Sequence, residues 1–276
     1  MKKTFKVVAA FAAASMLLAG CASEPAAETP TFPEGSTMAA LASKGEIVIG
    51  TKFDQPLFGL KGLSGDPEGF DVEIGKLIAK ELGVTPKFVE TVSANRETFI
   101  QQGNVDIVIA TYTINDKRKE VIEFAGPYYM AGQSILALKD RTDLSTPESL
   151  VGQPVCSVTG STPAAKLEEI GAEPVLFGTY TECLEPLRQG TVVAVSTDNV
   201  ILAGFAAQYP EEFAVMGVPF TEEPYGIGLK KGDIEFRDWI NDLLEKSYAD
   251  GSYKAAWDAT AGTVLPFVDG PTPNRY

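Results

Sequence analysis

The chain has 276 residues, 45% of them hydrophobic and 22% charged, a globular composition long enough for one large core or two lobes of ordinary domain size. Three of its 23 lysines and arginines (Lys2, Lys3 and Lys6) lie in an acid-free leader, so the remainder sets 20 basic residues against 37 acidic ones, a net −17. Such a surface repels phosphate backbones and argues against nucleic-acid binding. The absence of histidine removes imidazole-based catalysis, and the cysteines are too few for a thiolate metal site.

Residues 1–20 form a secretory signal: three lysines, an apolar run from Val7 to Leu18, then small residues. The run is too short for a transmembrane helix. It ends in Leu18-Ala19-Gly20-Cys21, which resembles a bacterial lipobox and implies cleavage before Cys21 and its acylation, palmitate included. The alternative is an ordinary secretory signal that happens to end in Cys. Several acyl chains anchor a protein stably where one does not. Residues 22–37, rich in Ala, Glu, Pro and Thr, read as a flexible, disordered tether behind the lipidated cysteine.

Ser36 to Ser43 reads as a short helix, with Gly45 beyond its end. Glu46 to Gly50 is a buried strand with Thr51-Lys52-Phe53-Asp54 at its C-terminal end, where open α/β sheets bind ligands. Pro56 to Pro67 is a glycine-containing loop. Gly69 to Gly83 places Phe70, Ile74, Leu77, Ile78 and Leu82 on one helical face. Lys87 to Thr91 is a second strand, and Arg96 starts the next helix. Val105 to Ile109 is a third, wholly buried strand, and beyond it Thr111 and Thr113 present hydroxyls. Asn115 caps a helix beginning at Asp116, so Arg118 sits in its first turn, where the macrodipole disfavours a cation by ~0.3–1 kcal/mol. Arg96 and Arg118 thus share an unusual place. Either they pair with surface acids, such as Glu120 or Glu123, or they await an anion.

The string Thr111 to Arg118 (TYTINDKR), followed by Phe124 to Tyr129 (FAGPYY), resembles the extracellular amino-acid-binding proteins that serve ABC importers. The resemblance covers nearly the whole chain after residue 38. It implies an α/β, two-lobe periplasmic-binding-protein-like (type II) fold with two crossing hinge strands. Lobe 1 would comprise 38–138 and 226–265, lobe 2 would comprise 139–225, and 266–276 would be a C-terminal tail. By the same resemblance, Thr111, Thr113 and Arg118 hold the α-amino and α-carboxyl groups of the ligand. Arg96 and Lys52 would face a side-chain carboxylate.

In the second half, Ser134 to Leu138 reads as a crossing strand and Asp140 to Pro147 as a turn. Pro154 to Val158 is a strand, and the Thr159-Gly160-Ser161-Thr162 turn leads into a helix that Pro163 opens. Ser161 and Thr162 are either a plain turn or a carboxylate cradle; the resemblance implies the cradle, donating to the α-carboxylate. Gln189 to Asp198 echoes Gln102 to Thr111, as two similarly built lobes would. Asp198 either caps the following helix or, as the resemblance implies, meets the ligand's ammonium. Val193 replaces the acid that stands at Asp106 in the first copy. Cys156 and Cys183 read as one disulfide in an exported protein, with two buried thiols as the alternative. Their surroundings resemble glutamate-binding members from Gram-positive bacteria. Tyr225 to Leu229 is the return crossing. Asp233 to Ala249 and Ser252 to Thr260 are amphipathic helices anchored by Trp239 and Trp257, and the Pro-rich end lies on the surface.

The expectation is a monomeric, lipid-anchored extracytoplasmic protein that captures L-glutamate and delivers it to an ABC permease, with no cofactor, no metal and no catalysis. L-Aspartate or L-glutamine are alternative ligands. An enzyme on the same fold, such as a dehydratase, is the alternative of a different class.

Overall fold

The structure, a computed structural model, describes Met1 and residues 30–63 and 65–276. The signal peptide, Cys21 and residues 22–29 of the expected tether lie outside the described residues. The tether does not extend unordered to residue 37. Phe32 packs edge-on against Trp239 with centroids 5.9 Å apart, and Ser36 caps the first helix through its hydroxyl.

In chain order the first half contains α1 (Thr37–Lys44), β1 (Glu46–Thr51), β2 (Asp54–Gln55), β3 (Gly59–Lys61), β4 (Pro67–Glu68), α2 (Phe70–Leu82) and β5 (Thr85–Glu90). It continues with α3 (Arg96–Gln102), β6 (Ile107–Val108), α4 (Asp116–Lys119) and β7 (Glu123–Ala131). The second lobe holds β8 (Gln133–Leu138), β9 (Pro154–Val158), α5 (Thr162–Glu169), β10 (Glu173–Phe177), α6 (Leu184–Arg188), β11 (Ala194–Asp198), α7 (Asn199–Gln208) and β12 (Phe213–Met216). The chain returns through β13 (Glu223–Leu229) and ends with α8 (Ile234–Asp250) and α9 (Ser252–Asp258).

Two five-stranded sheets follow one plan. The first has the order β5-β1-β6-β13-β7 and the second β10-β9-β11-β8-β12; in each, three parallel strands are followed by two antiparallel ones. The two-lobe α/β architecture is therefore present, and the sequence echo between Gln102–Thr111 and Gln189–Asp198 marks β6 and β11, which occupy the same place in their sheets. Ser134–Leu138 is not itself a crossing: it belongs to β8, inside the second sheet, and the chain changes sheet at Gly132. The return likewise passes through 217–222, ahead of Tyr225–Leu229, which lies inside the first sheet as part of β13, and the two passages are laced together. Gln133 N–H donates to Thr221 Oγ1 (2.9 Å), and Phe220 N–H to the Gln133 carbonyl (2.9 Å).

Local chemistry explains the elements that build the cleft. The α2 helix buries Phe70, Ile74, Ile78 and Leu82, each worth about 1.5–3 kcal/mol on leaving water; Leu77 is only half-buried. A side chain at Gly69, which sits at φ +134°, would place its Cβ 2.3 Å from the Phe58 carbonyl carbon, so the loop and helix can meet only at a glycine. Beneath the first sheet Trp257 stacks on Tyr129 (5.2 Å) and meets Phe70 edge-on (5.1 Å). Trp257 is a core anchor as expected; Trp239, half-buried, packs against the rim of the same core between Phe236 and Phe32. Asp106 is structural, accepting from Val48 N–H at 2.7 Å at the start of β1, so Val193 in the second copy leaves the cleft untouched. The disulfide Cys156–Cys183 ties β9 to the turn before α6 across 27 residues. The end of the chain lies on the first lobe, where Arg237 donates to the Tyr276 carbonyl (2.6 Å).

Candidate functional site

The C-terminal ends of the parallel strands of both sheets converge on a narrow polar cavity. The first lobe lines it with Gln55, Ser93, Arg96, Thr111 and Thr113. The second contributes Ser161, Thr162, Pro163, Tyr180, Thr197, Asp198 and Ile201. Six of the residues singled out in the sequence meet here: Arg96, Thr111, Thr113, Ser161, Thr162 and Asp198. Arg118 does not line this cavity but a wider outer pocket, which it shares with Glu97, Gly160 and Thr162. Lys52 does not line the cavity; its Nζ donates to Ser93 Oγ at 2.8 Å, one layer behind.

The positive wall is built around Tyr112. The guanidinium carbons of Arg96 and Arg118 lie 4.2 and 4.8 Å from its ring centroid, within range of cation–π attraction. Arg96 donates to the carbonyls of Ala110 (3.1 Å) and Thr111 (3.3 Å), and Arg118 to that of Thr113 (2.6 Å). Both reach the Gly160 carbonyl of the opposite lobe, at 3.4 and 3.1 Å. The acid beside Arg118 is neither Glu120 nor Glu123 but Glu97, one residue after Arg96, at 3.2 Å. Burial, and then the neighbouring Arg118, lowers Arg96 to about 10. Lys52 is lowered to about 7 by burial first and by Arg96 second. Three cations packed this closely, with Glu97 paired to Arg118 and Asp54 and Asp71 acting on Lys52, still form a site that gains from an incoming anion.

The negative wall comes from the second lobe. Asp198 stands at the N-cap position of α7, but its side chain makes no capping bond. Its Oδ2 accepts from the Tyr225 hydroxyl at 2.6 Å, while Oδ1 is buried without a partner. Burial, followed by the charge of Glu223, pushes its pKa up to about 7. An unpartnered buried carboxylate oxygen aimed into a cavity calls for a donor such as an ammonium. Ser161, by contrast, is occupied locally: its hydroxyl caps α5 at Ala164 N–H (3.1 Å) and donates to the Val158 carbonyl (2.8 Å).

Several participants were not read from the sequence. Asp71, within the α2 helix, accepts from Thr111 N–H (2.8 Å) and from the Tyr128 hydroxyl (2.6 Å). It thereby holds Thr111 at φ +44°, a left-handed conformation that costs a β-branched residue on the order of 1–3 kcal/mol. Burial raises Asp71 to about 7 despite those bonds. An acid on an otherwise apolar helix face was the available signal. Gln55 accepts from the Thr111 hydroxyl at 3.0 Å, and nothing local marks it. Tyr180 N–H donates to Asp54 Oδ2 at 2.8 Å and so closes one lobe on the other. Close approach also explains Gly160, where a Cβ would sit 2.8 Å from Ala94 Cα.

The cavity therefore opposes the Arg96 guanidinium and the Asp198 carboxylate over a span of hydroxyls, with Arg118 at the adjoining outer pocket, an arrangement complementary to an α-amino acid zwitterion. The model of the bacterial extracellular solute-binding proteins, family 3, matches residues 47–259. The chain is 40% identical over 254 residues to the glutamate-binding protein GluB of Corynebacterium efficiens, covering 87% of this chain and 86% of that one. It is 38% identical over 260 residues to the glutamine-binding protein GlnH of Bacillus subtilis, covering 92% and 95%. Among solved structures, the solute receptor for L-cysteine of Neisseria gonorrhoeae superposes with a TM-score of 0.78 at 31% identity, over 83% of this chain and 95% of that one. Fold, cleft and sequence agree, and the chain belongs to the bacterial extracellular solute-binding proteins of family 3.

Proposed function

We propose that the protein captures L-glutamate between its lobes and delivers it to an ABC permease, held to the membrane by acylation of Cys21. The observation that carries the amino-acid part is the opposition of Arg96 to the free Oδ1 of Asp198 across one cavity, with Arg118 stacked on the same Tyr112 ring at the adjoining outer pocket. Arg118 takes the α-carboxylate; Asp198 and the hydroxyls of Thr111 and Thr113 take the ammonium; Arg96, backed by Lys52, takes the side-chain carboxylate. The similarity to GluB of Corynebacterium efficiens supports the same ligand.

Glutamine is the second reading. It is favoured by Lys52, whose ammonium is bonded to Ser93 and stands outside the cavity lining, and by the similarity to GlnH. Calorimetry against the twenty amino acids separates the two. Glutamate should bind more tightly than glutamine, and Arg96→Met should weaken glutamate far more than glutamine, because only glutamate brings a second charge to that arginine. Equal losses for both ligands would end the glutamate assignment. NMR of glutamate incubated with the protein tests catalysis by the buried carboxylates Asp71 and Asp198; unchanged glutamate is the expected spectrum.

A further inference from the structure

Glu223 stands where the return passage enters β13, buried at the edge of the cleft and absent from every role assigned above. Its Oε2 lies 2.7 Å from the Thr162 hydroxyl oxygen, and its Oε1 lies 3.0 Å from that of Thr221. Thr221 accepts from Gln133 N–H on the other passage, so its single proton is free to go to Glu223. Among the described residues the hydrogen-bond partners of Glu223 are hydroxyls, not cations. A carboxylate accepting at both oxygens leaves Thr162 no choice: its one proton points at Glu223, and the longer contact to Thr113 Oγ1 (3.3 Å) must take its proton from Thr113. Thr162 therefore has a lone pair left to turn toward the cavity that Asp198 also lines. Lone pairs repel a carboxylate and receive an N–H. Glu223 adds negative charge to the same wall, where it is second only to burial in raising the proton affinity of Asp198.

We infer that Glu223 is a positioning residue for the α-amino group: it fixes the Thr162 hydroxyl as an acceptor and, with Asp198, makes this end of the cleft select ligands that carry an ammonium. The inference rests on the amino-acid reading above and changes one part of it. The donation to the α-carboxylate that the family resemblance implies for this turn is left to its backbone N–H groups, beside the arginines, and not to the Thr162 hydroxyl.

The test is calorimetry of purified wild type, Glu223→Gln and Thr162→Val with L-glutamate and L-glutamine, each paired with its deamino counterpart, glutarate and glutaramate. Those counterparts keep every group except the ammonium. Glu223→Gln should weaken whichever amino acid the wild type binds by about tenfold or more, while its deamino counterpart binds as before or more tightly. Thr162→Val should move the ratio in the same direction, and should cost little further when added to Glu223→Gln. A parallel loss of both ligands of a pair would mean that Glu223 merely holds the hinge, and would overturn the inference. So would unchanged amino-acid affinity in Glu223→Gln. A wild type that binds neither amino acid would instead bring down the proposed function, and this inference with it.

Discussion

Asp198→Asn separates binding from stability, because the structure predicts opposite effects on the two. The carboxylate is buried, one oxygen is spent on Tyr225 and the other has no partner. Its pKa is raised to about 7, above the value of 3.8 for a free aspartate. A raised folded-state value means that the folded protein holds the proton more tightly than the unfolded chain does. The associated stability is present below about pH 4, and is lost as the pH climbs toward 7. Above pH 7 the ionised group destabilises the fold by a few kcal/mol. Asparagine has the shape of the protonated acid without the charge. In the absence of ligand at pH 8, Asp198→Asn should therefore melt higher; a gain of about 2–3 kcal/mol corresponds to about 4–12 °C. The difference should disappear near pH 4. Removing one partner of a buried charge pair costs about 2–5 kcal/mol, so amino-acid affinity should fall by roughly 30-fold to several thousand-fold. Calorimetry reads the affinity and differential scanning calorimetry the melting. An Asn variant that binds like wild type, or one that melts lower at pH 8, would show that the carboxylate does not face the ligand in this way.

Lys52, lowered to about 7 by burial and by Arg96, should regain its proton when a ligand carboxylate arrives. At pH 8 glutamate binding should therefore take up close to one proton, and affinity should decline as pH rises above 7; titrations in buffers of different ionisation enthalpy measure this, and Lys52→Met should abolish the uptake. Reduction of Cys156–Cys183, which closes a loop with a sequence separation of 27, should cost about 3.5 kcal/mol by chain entropy, seen as a Tm about 7–14 °C lower. Cys21→Ala should release the protein from the membrane fraction and abolish palmitate labelling; a variant that stays bound and labelled refutes the anchor.

The sequence alone carried what depends on periodicity and on local backbone chemistry. The apolar face of α2, the cap at Asn115, the strand-end hydroxyls of Thr111 and Thr113, and the parallel between the two βα segments were all legible, because each follows from spacing or from one side chain meeting nearby backbone. Short edge elements were not. The edge strands β10 and β12 owe their form to pairing with β9 and β8, and Val105–Ile109 shrank to the paired residues of β6. The same physics divided the candidate site. Residue types identified the acceptors and donors, but which partner each takes is a long-range matter. Thr162 meets Glu223 61 residues away, Arg118 meets Glu97 21 residues away, and Asp71 braces Thr111 across 40. Whether a hydroxyl gives or receives a proton is decided by what lies opposite it, and only the closed tertiary structure puts those groups face to face.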